Sequence, residues 1–258
     1  LNGDSGEIMG AAVIADLTLT IGLAKTGFFL DQGPRHCGLL RCIDIGFPSS
    51  IISAENSTAQ AFFQLDVRAL ITRLNPLGHK YQKGQVLVIG GSSLYPGAPV
   101  LSSSAALRSG AGMVLLARPK SSLTPAYHAL IELCLNANSN QFTPSDLKLI
   151  ETHYPKTDTI VIGPGMCNDA METELLESAL HSNKKLIIDA GALTQLKKFK
   201  HLFPRQAETV LTPHSGELRR VCTDFKIQAD SETELASQLA QHLSIHIISK
   251  GKFTKIFS

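Results

Sequence analysis

The chain has 258 residues, 43% of them apolar, which is ample for a buried core in one large α/β domain or in a smaller pair. A formal charge of +2, with no Lys/Arg tract and nine scattered histidines, gives no electrostatic footprint for nucleic acid. No stretch approaches the ~20 apolar residues of a membrane span, and the N-terminus lacks a basic-then-apolar signal pattern, so the expected location is the cytoplasm, with neither membrane nor nucleic acid as a partner.

In chain order, Leu1 opens within a turn-like Asn2-Gly3-Asp4-Ser5-Gly6. Ala15–Gly22 alternates and reads as a strand, Lys25-Thr26-Gly27 as a turn, and Gly38–Ile45 as a further strand closed by Gly46 and Pro48. Short strands with no full helix among them cannot cover both faces of a sheet, so residues 1–48 read as the tail of a larger domain. Ser49 to about Gln64 is polar with little periodicity and reads as a linker. Asp66 caps a short helix, Val67–Leu74, that Asn75-Pro76 stops.

The main domain follows. Val86–Ile89 is a short apolar run of a strand buried on both faces, ending in Gly90-Gly91-Ser92-Ser93 and Pro96-Gly97. Ala98–Leu107 is helical and Met113–Ala117 is a second buried strand, which completes a βαβ unit with a glycine-rich mouth. Thr143-Pro144 caps a helix running to about His153. Then come a strand, Thr159–Ile162, ending at Gly163-Pro164-Gly165; a helix, Ala170–His181; and a strand, Lys185–Ile188, ending at Asp189. Val210-Leu211 ends at Thr212-Pro213-His214-Ser215-Gly216-Glu217, Ser231–Leu243 is a helix, and His246–Ser249 leads through Lys250-Gly251 into a hairpin over Phe253–Phe257. Strand and helix alternate throughout, which implies a mostly parallel sheet covered by helices on both faces. Each strand ends in a polar or glycine-rich turn, and in open α/β sheets ligands sit at the carboxyl ends of the strands.

Neither standard phosphate loop is present: there is no G-x-x-x-x-G-K-[ST], and Gly163-Pro164-Gly165 lacks the third glycine of the dinucleotide fingerprint. The loop from Gly90 to Ala98 offers backbone N–H groups beside a helix start, a setting for an anion or amide, with Gly91 at its turn. Asp189 either takes a ligand hydroxyl or caps the next helix through its own backbone. His214 is placed to donate to a polar substrate, and Glu217 lies in a helical first turn that favours its charge. Lys250, Gly251, Lys252, Phe253 and Thr254 bring cations, a turn and a hydroxyl to one strand end, which suits a nucleotide phosphate; the plain alternative is a hairpin turn with solvated lysines. Arg108 reads as a surface charge. Cys167 has no base nearby and reads as a bystander. The five cysteines make no C-x-x-C pair and read as buried thiols in a reducing compartment. No metal-ligating cluster stands out.

Six segments, H-K-Y-Q-K-G-Q-V-L-V-I-G-G-S-S-L-Y-P-G-A (79–98), A-L-R-S-G-A-G-M-V (106–114), V-I-G-P-G-M (161–166), I-I-D-A-G-A-L (187–193), L-T-P-H-S-G-E-L (211–218) and S-K-G-K-F-T (249–254), occur in the order and spacing of the ADP-dependent NAD(P)H-hydrate dehydratase family, which resembles ribokinase in fold. L-N-G-D-S-G-E (1–7), A-D-L-T-L-T-I-G-L-A-K-T-G (15–27) and D-I-G-F-P (44–48) resemble the end of the NAD(P)H-hydrate epimerase domain often fused ahead of it. The implied domains are an epimerase remnant over 1–52, a linker and short helix over 53–75, and a ribokinase-like dehydratase domain over 76–258. The implied chemistry is repair of a damaged nicotinamide cofactor. ADP, or ATP in some members, with Mg2+, phosphorylates the hydroxyl of the S-form hydrate, and loss of phosphate restores NADH or NADPH. The resemblance assigns Ala98, Gly165 and His214 to the hydrate and Lys250 to Thr254 to the nucleotide phosphates; Gly91, Asp189 and Glu217 are possible accessory residues. It also implies K+ for the epimerase half and a homo-oligomer.

In the family pattern a Gly-x-Gly-Asp segment carrying the catalytic base follows the Lys-Gly-x-x-Thr strand, which puts that base beyond Ser258, and the epimerase's catalytic and potassium-binding residues lie upstream of Leu1. The expectation is a fragment with neither activity at a useful rate, from a parent with at least the dehydratase. The alternatives are a small-alcohol kinase of the same superfold, such as a thiamine-precursor kinase, and a catalytically dead nucleotide-binding module.

Overall fold

The computed structural model describes residues 1–54, 59–62, 67–68, 79–119, 129–136, 139–251 and 253–258, in two compact units, Leu1–Leu74 and Asn75–Ser258. In the first unit β1 (Leu17–Ile21) and β2 (Leu39–Ile43) pair in parallel, Leu17 opposite Leu39 and Ile21 opposite Ile43. Between them lies α1 (Gly33–His36), a single turn started by Pro34. Side chains alternate along a strand, so Leu17, Leu19 and Ile21 share a face with Leu39 and Ile43, and that face is exposed. On the other face the Thr18 hydroxyl donates to the Cys37 carbonyl at 2.7 Å and buried Thr20 donates to the Leu23 carbonyl at 3.0 Å.

The polar segment expected as a linker from Ser49 begins instead with α2 (Ser49–Ala54), none of whose residues is buried. Its start is local: Ile51 N–H and Ile52 N–H both donate to the Pro48 carbonyl. The helix expected over Val67–Leu74, with its Asp66 cap and Asn75-Pro76 stop, lies mostly outside the described residues, as does Lys252. All five cysteines are free thiols, but only Cys37 and Cys222 are buried; Cys42, Cys134 and Cys167 are exposed, which corrects the uniform expectation.

The second unit is built on an eight-stranded sheet. In chain order it contains β3 (Gln85–Ile89), α3 (Ala98–Arg108), β4 (Met113–Ala117), β5 (Ile131–Glu132), α4 (Pro144–Glu151), β6 (Thr159–Ile162), α5 (Ala170–His181) and β7 (Lys185–Ile188). A 3-10 helical stretch, Ala190–Leu202, precedes β8 (Thr209–Leu211), α6 (Ser215–Asp224), α7 (Glu232–Leu243), β9 (His246–Ser249) and β10 (Lys255–Phe257). The spatial order is β10-β9-β8-β7-β6-β3-β4-β5, parallel throughout except for β10 against β9. The chain thus leaves β3 in one direction for β4 and β5, then returns to β3's other side with β6 and continues outward to β9. Right-handed crossovers in opposite directions demand helices on opposite faces.

The core follows that rule. Leu87, Ile89, Ile160, Ile162, Leu186 and Ile188 pack on one face against Ile150 of α4, Leu175 and Leu176 of α5, Leu218 of α6 and Leu239 of α7. Val88, Val114 and Leu116 pack on the other face with Val100, Ala106 and Leu107 of α3. Helix starts are set by side-chain caps: Thr143 with Asp146, Asp169 with Glu172, and Ser231 on the Glu234 N–H. No helix among the described residues is long and apolar enough to cross a membrane.

Candidate active site

The reversal of strand order falls between β3 and β6, and parallel strands bring their carboxyl ends to one edge, so the loops after β3, β6, β7, β8 and β9 meet along that edge beside the crevice. The loop after β3 is tied to both neighbours: Gly90 N–H donates to the Ala117 carbonyl at 3.1 Å and Gly91 N–H to the Pro164 carbonyl at 2.8 Å. Gly165, at φ +77°, lies so close that a Cβ there would stand 2.5 Å from the Tyr95 carbonyl oxygen and 3.2 Å from Ala98 Cβ. The two residues assigned to the hydrate from the glycine-rich loops, Ala98 and Gly165, are therefore in contact. Ala98 itself is the first residue of α3, after Gly97 at the cap position.

The turn that follows is held by a buried carboxylate. Glu172 accepts from Cys167 N–H at 2.9 Å and Asp169 N–H at 3.0 Å, and burial pushes its carboxyl above its ordinary pKa. The Cys167 thiol is exposed and donates to Ser92 Oγ at 3.2 Å, so it touches the β3 loop.

Further along the edge, Gly163 fits against the Asp189 carbonyl, where a Cβ would stand 1.9 Å away. Asp189 is the cap residue of the 3-10 stretch and caps it through its own backbone, as expected: its carbonyl accepts from Ala192 N–H at 3.2 Å, while its side chain makes no cap bond. Its carboxylate instead takes the Lys250 ammonium at 2.7 Å, across the end of β8. The Lys250 N–H donates to the Pro213 carbonyl at 2.8 Å, and His214 bridges to Lys250 in parallel.

His214 caps α6 through its own ring. Nδ1 accepts from Gly216 N–H at 3.0 Å and Glu217 N–H at 3.4 Å, and the Glu217 carboxylate accepts from His214 N–H at 2.9 Å. Because Nδ1 is engaged as an acceptor, a neutral His214 carries its proton on exposed Nε2, which lies 3.6 Å from Glu217 Oε1. Glu217 is thus the reciprocal member of a capping box as well as a first-turn charge. Gly251, Phe253 and Thr254 lie exposed between β9 and β10. Gly91, Gly165, Asp189, His214 and Lys250 belong to the loops of this one edge, and Ala98 and Glu217 to the first turns of the helices that start there.

A hollow of about 560 Å3 opens elsewhere, between α4 and α5. Leu147, Glu151, Tyr154, Glu174, Glu177 and His181 are among its lining residues; it lies toward the opposite edge of the sheet and shares no residue with the strand-end loops.

The sequence profile of the NAD(P)H-hydrate dehydratase family matches residues 86–258, a span that contains every one of these loops. The chain belongs to the NAD(P)H-hydrate dehydratase family. Among its relatives are the bifunctional NAD(P)H-hydrate repair enzymes Nnr of Thermosynechococcus vestitus, 31% identical over 267 residues, and of Dictyoglomus turgidum, 32% identical over 267 residues. Each alignment covers 100% of this chain and 51% of the relative, so the chain spans about half the length of the curated relatives it matches. Among solved structures, a ribokinase-like superfamily protein of Enterococcus faecalis matches with a TM-score of 0.62 at 24% identity, over 77% of this chain and 71% of that one. The ADP/ATP-dependent NAD(P)H-hydrate dehydratase of Bacillus subtilis, co-crystallised with ATP and Mg2+, matches with a TM-score of 0.51 at 23% identity, over 76% and 68%. At such identities the likeness is one of fold, and the fold of this family member is ribokinase-like.

Two residues of the edge escape a reading by motif. Glu172 looks in sequence like one more acidic residue of a helical first turn. Arg118 follows the apolar strand Met113–Ala117 directly, and that position at a strand end is the signal that marks it.

Proposed function

We propose that the protein removes water from the S-form hydrate of NADH or NADPH at the expense of ADP or ATP. The phosphoryl group passes to the ring hydroxyl, and loss of inorganic phosphate restores the reduced nicotinamide. In this reading Ala98, Gly165 and His214 face the hydrate, and Lys250, Gly251, Lys252, Phe253 and Thr254 face the nucleotide phosphates, with Gly91, Asp189 and Glu217 as supports. The observation that carries it is the packing of Gly165 on Tyr95 and Ala98 beside the strand reversal, on the same edge as the Lys250 cation. Phosphoryl transfer needs positioned cations and backbone donors more than a covalent nucleophile, and in this reading Lys250 is such a cation.

Among the described residues no group of three or more His, Cys, Asp or Glu side chains is placed to hold a metal ion; in this reading Mg2+ would arrive with the nucleotide and neutralise its phosphates. Residues 1–52 are read as the end of an epimerase domain, to which K+ belongs, residues 53–75 as the link, and residues 76–258 as the dehydratase domain. The enzyme is placed in the cytoplasm as a homo-oligomer.

Incubation with hydrated NADH, ADP and Mg2+, followed at the reduced-nicotinamide absorbance band, tests the reading. Recovery of absorbance with release of one equivalent of free phosphate supports it. A stable phosphorylated product with no recovery of NADH identifies a small-alcohol kinase instead, and uptake of nucleotide without turnover leaves the inactive fragment and the binding module as the readings.

A further inference from the structure

Arg118 is a charged residue at 5% exposure, just beyond the carboxyl end of β4. Its guanidinium faces two ways. Nε donates to Glu132 Oε1 at 2.6 Å and Nη2 to Glu132 Oε2 at 3.5 Å, on the edge strand β5, while Nη1 donates to the Pro96 carbonyl at 3.1 Å. The β3 loop lies directly on the stem of this arginine: a Cβ at Gly91 would meet Arg118 Cβ at 3.4 Å and Pro99 Cγ at 3.1 Å. Pro96 is one residue past Tyr95, whose carbonyl backs Gly165, and two before Ala98.

We infer that Arg118, anchored by Glu132, is a positioning residue that fixes the loop from Gly91 to Ala98 against Gly165, and so shapes the hydrate end of the site without touching the nucleotide end. Stability alone does not account for an arginine here, because an apolar pair of similar volume commonly serves a buried position as well as an ion pair does. What an apolar residue cannot do is bond a loop carbonyl and a carboxylate at once, and the planar fork of arginine does that where lysine does not. Lys250 follows β9, and four strands lie between β9 and β4 along the sheet, so the two ends of the site are separately addressable.

The inference rests on the hydrate reading of this loop, and the test separates the two. Arg118→Lys and Glu132→Gln are compared with the unmodified chain by calorimetric titration with the S-form hydrate of NADH and, separately, with ADP. Cleavage by chymotrypsin after exposed Leu94 reports loop order without any ligand; the Tyr95–Pro96 bond is resistant because of its proline. Arg118→Lys is expected to weaken hydrate binding by about tenfold while ADP binding stays within about twofold, since misplaced positioning groups cost binding only at the end they serve. Cleavage after Leu94 is expected to accelerate with the melting temperature little changed. Glu132→Gln, which loses the anchor's charge and leaves Arg118 in place, is expected to move the same readouts less. Equal weakening of both ligands, or unchanged hydrate binding and unchanged cleavage, overturns the inference. If the unmodified chain takes up no hydrate, the functional reading fails, and the cleavage rate alone then decides whether Arg118 holds the loop.

Discussion

The strand pairs β1–β2 and β3–β4 are both parallel, both five residues long and both in full register, yet only one is buried. Val88 and Ile89 are 0% exposed, whereas Leu17, Leu19 and Ile21 are 49%, 58% and 55% exposed. The strands' own apolar content differs by only one residue in each comparison, LTLTI against QVLVI and LLRCI against MVLLA. β3 has neighbours on both sides and helices on both faces, whereas among the described residues β1 has a single partner and one-turn connections. Parallel pairing does not by itself hide a strand; the crossover helices do.

The comparison breaks if burial proves energetically idle. Ile160→Ala in β6, at 0% exposure, is expected to cost about 2–5 kcal/mol in urea denaturation, while Leu19→Ala in β1 is expected to stay within about 0.5 kcal/mol. Equal costs at the two positions would show that the exposed face is covered in solution.

A smaller effect sharpens the point at the site itself. Gly165→Ala puts a side chain at φ +77° against the Tyr95 carbonyl, and a loss of about 1–3 kcal/mol is expected from strain, together with loss of hydrate binding. A variant as stable as the parent would mean that the two loops are not in contact.

Below that comes a pH effect. Burial raises the folded-state pKa of Glu172 above its ordinary 4.5, so the folded chain keeps a proton that the unfolded chain releases. The resulting stability is present in full below the unfolded value and is lost as pH rises through the folded one. Relative to Glu172→Gln, the parent chain is therefore expected to lose stability between the acid side of 4.5 and neutral pH, as read by denaturation at a series of pH values; a flat difference contradicts it.

The smallest change is expected at Asp189→Asn. The pair with Lys250 is partly exposed on both sides, and its removal is expected to cost less than about 1 kcal/mol, with less dependence on salt than the parent. A cost of several kcal/mol would make the pair structural.

The alternation of strand and helix and the turns at the strand ends were legible in the sequence because period, glycine and proline are local signals. The 3-10 stretch Ala190–Leu202 was legible in principle: Leu193, Leu196 and Phe199 recur every third residue and all three are buried, a spacing that neither the 3.6 nor the 2.0 template detects. The partners of Asp189 and Arg118 were not legible. One pair joins β7 to β9 across β8, the other joins β4 to β5 and to the loop after β3, and strand order decides both. His214 was singled out as a donor from its place between Pro213 and Ser215; that its Nδ1 caps α6 depends on ring orientation, which no sequence pattern carries.

Backbone hydrogen exchange of the intact chain, measured with ADP and then with hydrated NADH, tests the shared edge most directly. Protection is expected at 250–254 with the nucleotide and at 91–98 and 163–166 with the hydrate. Protection confined to the hollow between α4 and α5, or none at the strand-end loops with either ligand, would contradict a site built on that edge.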